Sequence, residues 1–279
     1  MKILVIKKSK LKRTDLIKLS SVLKSKKCDF DVVDYNDVEE FYSVIHKKGF
    51  KNKYDILVSF GGDGTILKAA RVARKLDIPI LGINVGTIGF LTSINNMKQL
   101  KIYFEKFLNN DFIYENRYML CIDVYRNEEL IFTSYAVNEA TITSYNLRKI
   151  GKYDVRIGDV NDEFNEYRAD GLIISSPTGS TAHSLSAGGP IVEPSVNCFI
   201  LTAICPHAFN ERSIIVSDKK DVFIKILNDG QLVDVDGRIE TKLNIDDIVK
   251  ISKLKKPIRY IVFNKNNFLN NVKSKIRNI

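Results

Sequence analysis

The run Ile56-Leu57-Val58-Ser59-Phe60-Gly61-Gly62-Asp63-Gly64-Thr65 constrains the fold of this chain more than any other stretch. A short apolar strand stops at three glycines that enclose one carboxylate, and Ile66, Leu67, Ala70, Ala73 and Leu76 then recur at helical spacing. A strand, a glycine-bearing turn and a helix N-terminus in that order make an anion site. Glycines keep side chains away from the peptide N–H groups and admit φ > 0, and the helix end favours negative charge. Phosphate is the expected ligand, with Gly61, Gly62, Gly64 and Thr65 as its contacts. Asp63, expected to be solvent-exposed, would repel phosphate on its own. It makes sense there as a holder of Mg2+, or as acceptor of the proton from a hydroxyl that attacks the phosphate.

The surrounding pattern is βαβαβ. Apolar residues 3–6, then Leu16, Leu19 and Leu23 at helical spacing, then Val32-Val33, then Val38, Phe41 and Ile45, lead into the strand at 56–60, and 78–83 reads as a further buried strand. An α/β unit with a doubly wound, mostly parallel sheet follows, and such sheets bind ligands at the carboxyl ends of their strands. The loops 61–64 and 82–90 both fall at such ends. After a helix over 97–108 the pattern turns to long alternating runs (119–125, 130–143, 153–157, 164–168, 221–227, 232–235). They are separated by polar turns at 126–129, 161–162 and 228–230, which predicts a β-rich, antiparallel second domain. We therefore expect an α/β domain over 1–110, completed by a strand and helix within 257–279, and a β-rich domain over 111–256.

Composition excludes several classes. The chain has 279 residues and a formal charge of +10, but its lysines are scattered, with short clusters at 7–10 and 253–256 that read as solvated surface. No aromatic and arginine interleaving marks a nucleic-acid surface. Cys28, Cys121, Cys198 and Cys205 show no C-x-x-C spacing, and His46, His183 and His207 form no H-x-x-x-H pair, so neither zinc nor a disulfide framework is indicated. No apolar run reaches the roughly 18 to 20 residues of a membrane span. The expectation is a cytoplasmic protein without nucleic-acid or membrane partners.

Three further stretches carry polar groups where a core would not supply them. Residues 170–190 run from a buried strand into a hydroxyl-rich, glycine-bearing turn with a short helix, and four of the six prolines lie between 177 and 206. The hydroxyls and N–H groups of 178–186 suit ribose and phosphate oxygens. Asn138-Glu139 falls inside a strand predicted over 135–143, where a buried polar pair costs several kcal/mol unless satisfied. Salt bridging, edge exposure and a clamp on ribose hydroxyls all satisfy it. Asp234-Val235-Asp236-Gly237 ends a strand and reads as a turn.

Taken in order, Gly61-Gly62-Asp63-Gly64-Thr65, Val137-Asn138-Glu139, Asp170-Gly171 leading into Ser176-Pro177-Thr178-Gly179-Ser180-Thr181-Ala182, and Asp236-Gly237 closely resemble the NAD kinase family, over residues 56 to about 240. The first motif is shared with diacylglycerol-type lipid kinases and 6-phosphofructokinases; the hydroxyl and glycine stretch is specific to NAD kinases. The resemblance implies transfer of the γ-phosphoryl of ATP to the 2′-hydroxyl of the adenosine ribose of NAD+, giving NADP+, with a divalent ion, Mg2+ by expectation. It implies Asp63 as the proton acceptor and Gly64 as the point of close nucleotide approach. Asn138 and Glu139 would hold ribose hydroxyls, and Asp170 would contact the nicotinamide end. Thr178, Thr181, Ala182, His183, Ser184, Leu185 and Ser186 would line the adenine and nicotinamide pockets, and Phe90 would pack on adenine. Arg168 and Lys149 resemble positions that reach across a subunit interface or supply a basic group, and Cys205, His207 and Asp236 complete the implied substrate contacts. A homo-oligomer, dimer or tetramer, is implied with them.

The sequence departs from the family pattern at His183, where relatives usually carry tyrosine, at Arg238 in place of glutamine, at Ala203 in place of proline, and at Thr87 in place of a basic residue or histidine. These touch nucleotide affinity and donor choice rather than the proposed proton acceptor. The alternatives are a diacylglycerol-type lipid kinase and a non-catalytic nucleotide sensor.

Overall fold

The computed structural model describes all residues except 39, 42, 44–52, 87–88, 147–148, 159–162, 265–267 and 277–279. The helix predicted around Val38, Phe41 and Ile45 falls largely outside the described residues, as do Thr87 and the turn at 161–162. The chain divides into two compact units, Met1–Asn116 with Ile258–Ile279, and Arg117–Pro257.

In the first unit the sheet order is β2-β1-β3-β4-β17-β5, from β1 (Lys2–Lys7), β2 (Asp29–Asp34), β3 (Ile56–Gly61), β4 (Ile80–Asn84), β5 (Ile113–Arg117) and β17 (Ile258–Val262). β1 pairs in parallel with β2 and β3, and β4 with β3 and β17. β3 is buried at every position because helices cover both faces of the sheet. α1 (Arg13–Ser25) and α3 (Leu100–Leu108) place Leu19, Leu23, Leu100 and Phe104 against Ile3, Val5, Val58, Phe60 and Leu81 on one face. α2 (Asp63–Leu76) buries Ile66, Ala69, Ala70 and Ala73 and packs on β1, β3, β4 and β17. Leu4 and Ile6, alternating with Ile3 and Val5, turn toward that second face. The doubly wound parallel sheet predicted from the sequence is thus present.

The second unit is antiparallel β throughout its main sheet, ordered β15-β14-β8-β10-β9-β13-β16-β6-β7, with β11 pairing β10 and β12. Its strands are β6 (Leu120–Arg126), β7 (Glu129–Ala136), β8 (Glu139–Ser144), β9 (Gly151–Gly158), β10 (Glu163–Ser175), β11 (Cys198–Pro206), β12 (Ile214–Ser217), β13 (Asp221–Ile226), β14 (Gln231–Val235), β15 (Ile239–Leu243) and β16 (Ile248–Lys253). Alternating side chains of these strands fill one core that includes Ile122, Val124, Ile142, Tyr153, Leu172, Ile224 and Val249. The β6–β7 turn has Asn127 and Glu128 both at positive φ, the geometry of a two-residue hairpin that follows the strands' twist.

Two features of this unit position the site. β10 pairs with β9 up to Ala169 and with β8 from Gly171, so the partner changes at Asp170. A Cβ on Gly171 would lie 2.6 Å from Ile142 O, which is why glycine stands where β8 joins. The single strand predicted across 135–143 is two strands, broken at Val137-Asn138. The N–H groups of Val137, Asn138 and Glu139 all donate to the Asp236 carboxylate instead of to a neighbouring strand.

Candidate active site

In the first unit the glycine turn works by space rather than by unusual backbone angles. None of Gly61, Gly62 and Gly64 has positive φ, contrary to the sequence-based expectation. A Cβ on Gly61 would overlap the Thr65 side chain, whereas Gly62 and Gly64 have nothing within 4 Å of that position, so two of the three present open backbone. Gly62 caps α2, and Asp63 is its first residue. Thr65 is buried, with its N–H closing onto Gly62 O at 3.0 Å.

Asp63 is half-buried, not exposed as expected. Its Oδ2 accepts from the Phe90 N–H at 2.7 Å and its Oδ1 from the Leu91 N–H at 3.0 Å. The second glycine-bearing loop therefore grips the carboxylate with two main-chain donors, which fixes its plane. Gly89 makes this possible, since a Cβ there would overlap Asp63 Oδ1. Neither Gly89 nor Leu91 stood out as a contact of Asp63 in the sequence, because main-chain donors leave no residue-type signal. Phe90 is brought to Asp63 by its backbone.

In the second unit three separated motifs meet. The Asp236 carboxylate accepts from Val137, Asn138 and Glu139 N–H at 2.8, 2.8 and 3.2 Å, and the Asp236 N–H returns to Glu139 O at 3.1 Å. Asp236 holds φ +52, which lets it turn back onto this bend. From the other side Ser176 donates its N–H to Asn138 O at 2.8 Å and its hydroxyl to Val137 O at 2.6 Å. Gly179 lies flat on the Asn138 backbone, which a Cβ would overlap. Asn138 and Glu139 are thus presented by a bend clamped from both sides, and Asp236 acts as its main-chain anchor.

Electrostatics single out Glu139. It is 6% exposed, and its Oε2 has no hydrogen-bond partner. Burial, then the charges of Asp236 and Asp234, push its carboxyl up to about 8, against a backbone hydrogen bond from His183. Burial also raises Asp236, to about 6, with three N–H donors opposing it. Asp234, which the sequence offered only as part of a turn, is raised by burial too and accepts from the Gly237 N–H at 2.8 Å.

The hydroxyl-rich stretch forms a 3-10 turn over Thr178–Thr181 followed by the single-turn helix α4 (His183–Ser186). Thr178 Oγ1 accepts from Arg117 at 3.3 Å. Ser180 is spent on Val192, giving and receiving one hydrogen bond, and the Ser184 hydroxyl is fully buried against Thr202 Oγ1 at 3.2 Å. These two are internal braces. Thr181, Ala182 and Leu185 are partly exposed, while His183 and Ser186 face solvent. Asp170 is exposed at the β10 partner change, close enough to the buried Tyr153 hydroxyl to help raise it; that hydroxyl donates to Gln231 Oε1 at 2.7 Å. Beside it in β11 lies Cys205, exposed and at φ +45. Arg168 is exposed and pairs with Glu166 at 3.4 Å, and its carbonyl accepts from the His207 N–H. Lys149 is exposed in the loop after β8. Of the departures, Arg238 pairs with Glu240, which also accepts from Ser134, and Ala203 packs in β11 opposite Leu172.

The comparisons with known proteins follow the same two units. Residues 4–112 match the model of the ATP-NAD kinase N-terminal domain, and residues 137–263 match that of the ATP-NAD kinase C-terminal domain. The chain belongs to the NAD kinase family. An NAD kinase of Ruminiclostridium cellulolyticum is 36% identical over 228 residues, 81% of this chain and 79% of that protein. A bifunctional NADP phosphatase/NAD kinase of Methanocaldococcus jannaschii is 35% identical over 251 residues, 88% of this chain and 42% of that larger protein. Among solved structures, an NAD kinase from Archaeoglobus fulgidus in complex with ATP superposes with a TM-score of 0.75 at 26% identity, covering 100% of both chains. Yeast NADH kinase complexed with NADH shares the fold, with a TM-score of 0.84 at 23% identity over 99% of this chain and 88% of that one. Membership in the NAD kinase family removes the lipid-kinase alternative. No described helix is long and apolar enough to cross a membrane.

Proposed function

We propose that this chain transfers the γ-phosphoryl group of ATP to the 2′-hydroxyl of the adenosine ribose of NAD+, giving NADP+. One observation carries the choice of catalytic residue. Asp63 is held by two main-chain N–H groups at the start of α2, beside open glycine backbone. In this reading the acceptor hydroxyl donates to Asp63, and the fixed carboxylate orients its oxygen toward phosphorus and collects the proton as the new P–O bond forms. A loose transition state makes positioning count for more than base strength. The backbone of Gly62 and Gly64 admits the phosphates.

Among the described residues no group of three or more His, Cys, Asp or Glu side chains converges to hold a metal. One carboxylate beside a phosphate turn suits an ion brought in with the substrate as Mg·ATP, whose ligands are largely phosphate oxygens and water. Asp63 is the protein group that would hold such an ion, and the ion would supply neutralisation of phosphate charge.

In the second unit Asn138 and Glu139 hold ribose hydroxyls. With its carboxyl raised to about 8, Glu139 carries a proton at pH 7, so it can donate to a hydroxyl oxygen as well as accept. Thr181, Ala182, His183 and Leu185 form the wall for the rings, and Asp170 meets the nicotinamide end. We also propose a homo-oligomer, with Arg168 and Lys149 near its contacts; a monomer alone in light scattering would remove that part.

The assay is direct. Incubation with ATP, Mg2+ and NAD+ should yield NADP+, and Asp63→Ala should lower turnover by at least about 10²-fold. Asp63→Asn should fall comparably, because its amide presents an N–H to the Phe90 or Leu91 N–H. Full activity in either variant would refute the role of Asp63.

A further inference from the structure

We propose that the phosphate chain of the phosphoryl donor is seated in a cavity of the first unit by Lys10 and Lys12. The proposal rests on the phosphoryl-transfer reading only for the identity of the donor. The cavity has a volume of about 440 Å³ and is lined by Lys10, Leu11, Lys12, Asp15, Asn84, Val85, Gly86, Asn95, Asn96 and Met97, which is within the usual size of a small-molecule site.

Its place in the sheet argues for a substrate. β1 and β3 are neighbours, and the helices that follow them, α1 and α2, pack on opposite faces of the sheet. That strand pair is the switch point at which open α/β sheets bind ligands. The walls also touch the glycine turn from both sides. The Lys8 N–H donates to Phe60 O at 2.9 Å, and the Val85 N–H donates to Gly61 O at 3.0 Å. The segment 10–12 continues from the first contact, and 84–86 belongs to the second.

Its chemistry argues for an anion. In the lysine-rich run that starts at the end of β1, Lys7 is neutralised by Asp34, whose carboxyl is held at about 2 by Lys7, the Ser9 hydroxyl and the Asn36 N–H. Lys10 and Lys12 make no ion pair with a described residue and reach the cavity from exposed positions. Asp15 is the one acidic wall residue against two ammonium groups, and three asparagines supply neutral donors and acceptors. Gly86, at φ +138, bends the opposite wall in a way a side chain would resist. Lys10, part of the 7–10 cluster that the sequence alone assigned to solvated surface, is therefore given a ligand together with Lys12.

The test separates donor from acceptor. Lys10→Ala/Lys12→Ala should raise the KM for ATP about 10-fold or more, as loss of charged hydrogen bonds to phosphate does, with the KM for NAD+ within about twofold. Lys10→Arg/Lys12→Arg should restore most of the loss. Lys219→Ala/Lys220→Ala, two exposed lysines of the second unit, controls for the loss of net charge and should leave both constants unchanged. Calorimetric titration of the NAD+-free protein with inorganic tripolyphosphate should show a matching loss of affinity in the double alanine variant alone. Unchanged tripolyphosphate affinity overturns the proposal, as does an equal rise in both KM values. If no NADP+ forms with the unaltered chain, the proposed reaction fails, and the tripolyphosphate titration still decides the site.

Discussion

Replacing Asp236 by asparagine tests whether the clamp beneath Asn138 and Glu139 is electrostatic. The Asp236 carboxyl is raised from 3.8 to about 6, so the folded protein holds its proton more tightly than the unfolded chain does. Stability from this group is fully present below pH 3.8 and is lost as pH rises through 6. Between pH 8 and pH 5 the folded state crosses its own pKa by one unit while the unfolded carboxyl stays ionised. Wild type should therefore gain about 1.4 kcal/mol on that descent, the free energy of one pKa unit. Asp236→Asn cannot titrate and should not gain it. At pH 8 the variant keeps Oδ1 as acceptor for Asn138 and Glu139 and loses the acceptor for the Val137 N–H. That costs about 1–3 kcal/mol, offset by removing a buried charge whose shift corresponds to about 3 kcal/mol. The variant should thus be near wild type at pH 8 and fall behind by about 1.4 kcal/mol at pH 5. Losing the Asp236 charge also removes one of the causes holding Glu139 near 8, which lowers that group and flattens the variant's profile further. Urea denaturation at the two pH values reads the difference, and the effects of carboxylates that do not face Asp236 cancel between the proteins, while the Glu139 shift widens the gap in the same direction. A gap that is the same at pH 8 and pH 5 refutes the reasoning.

Gly89→Ala should push the Asp63 carboxylate out of its position, since the new Cβ overlaps Oδ1; we expect turnover to drop by about 10²-fold with the far-UV circular dichroism unchanged, and a fully active variant would contradict the geometry. Asp247 is 1% exposed and takes two hydrogen bonds from Arg126, at 2.9 and 2.8 Å, and one from the Asn244 N–H. Asp247→Ala should lower the melting temperature because it removes the buried acceptor of three hydrogen bonds, two of them charge-assisted, with the KM for NAD+ unaltered; an unchanged melting temperature would count against it.

The first unit was legible because its signals are local. A buried strand, a glycine turn and a helical face lie within the 21 residues from Ile56 to Leu76, and the covered β3 reads as an unbroken apolar run. The second unit was legible only in its long alternating strands. β16 alternates just as they do, but it runs into the basic tract at 253–256 that reads as solvated surface, and β12 and β15 are too short to stand out. The break at Val137-Asn138 was hidden for a different reason. Its cause is a carboxylate about a hundred positions away, and nothing in Tyr135-Ala136-Val137-Asn138-Glu139 announces that its N–H groups have left the ladder. Of the two properties that the sequence suggests for the turn glycines, the structure uses the missing side chain and not positive φ. Asp63 was expected to be exposed because its partners are main-chain groups of residues 90 and 91. Lys10 and Lys12 resemble any surface lysine until the cavity gathers them with Asn84 and Asn95.

A crystal structure of the chain with NAD+ bound measures the central claim most directly. The account predicts the 2′-oxygen of the adenosine ribose within hydrogen-bond distance, about 3 Å, of an Asp63 carboxylate oxygen that still accepts from Phe90 or Leu91. A well-ordered dinucleotide whose 2′-oxygen is bonded to other groups, with Asp63 unmoved and out of reach, would contradict it.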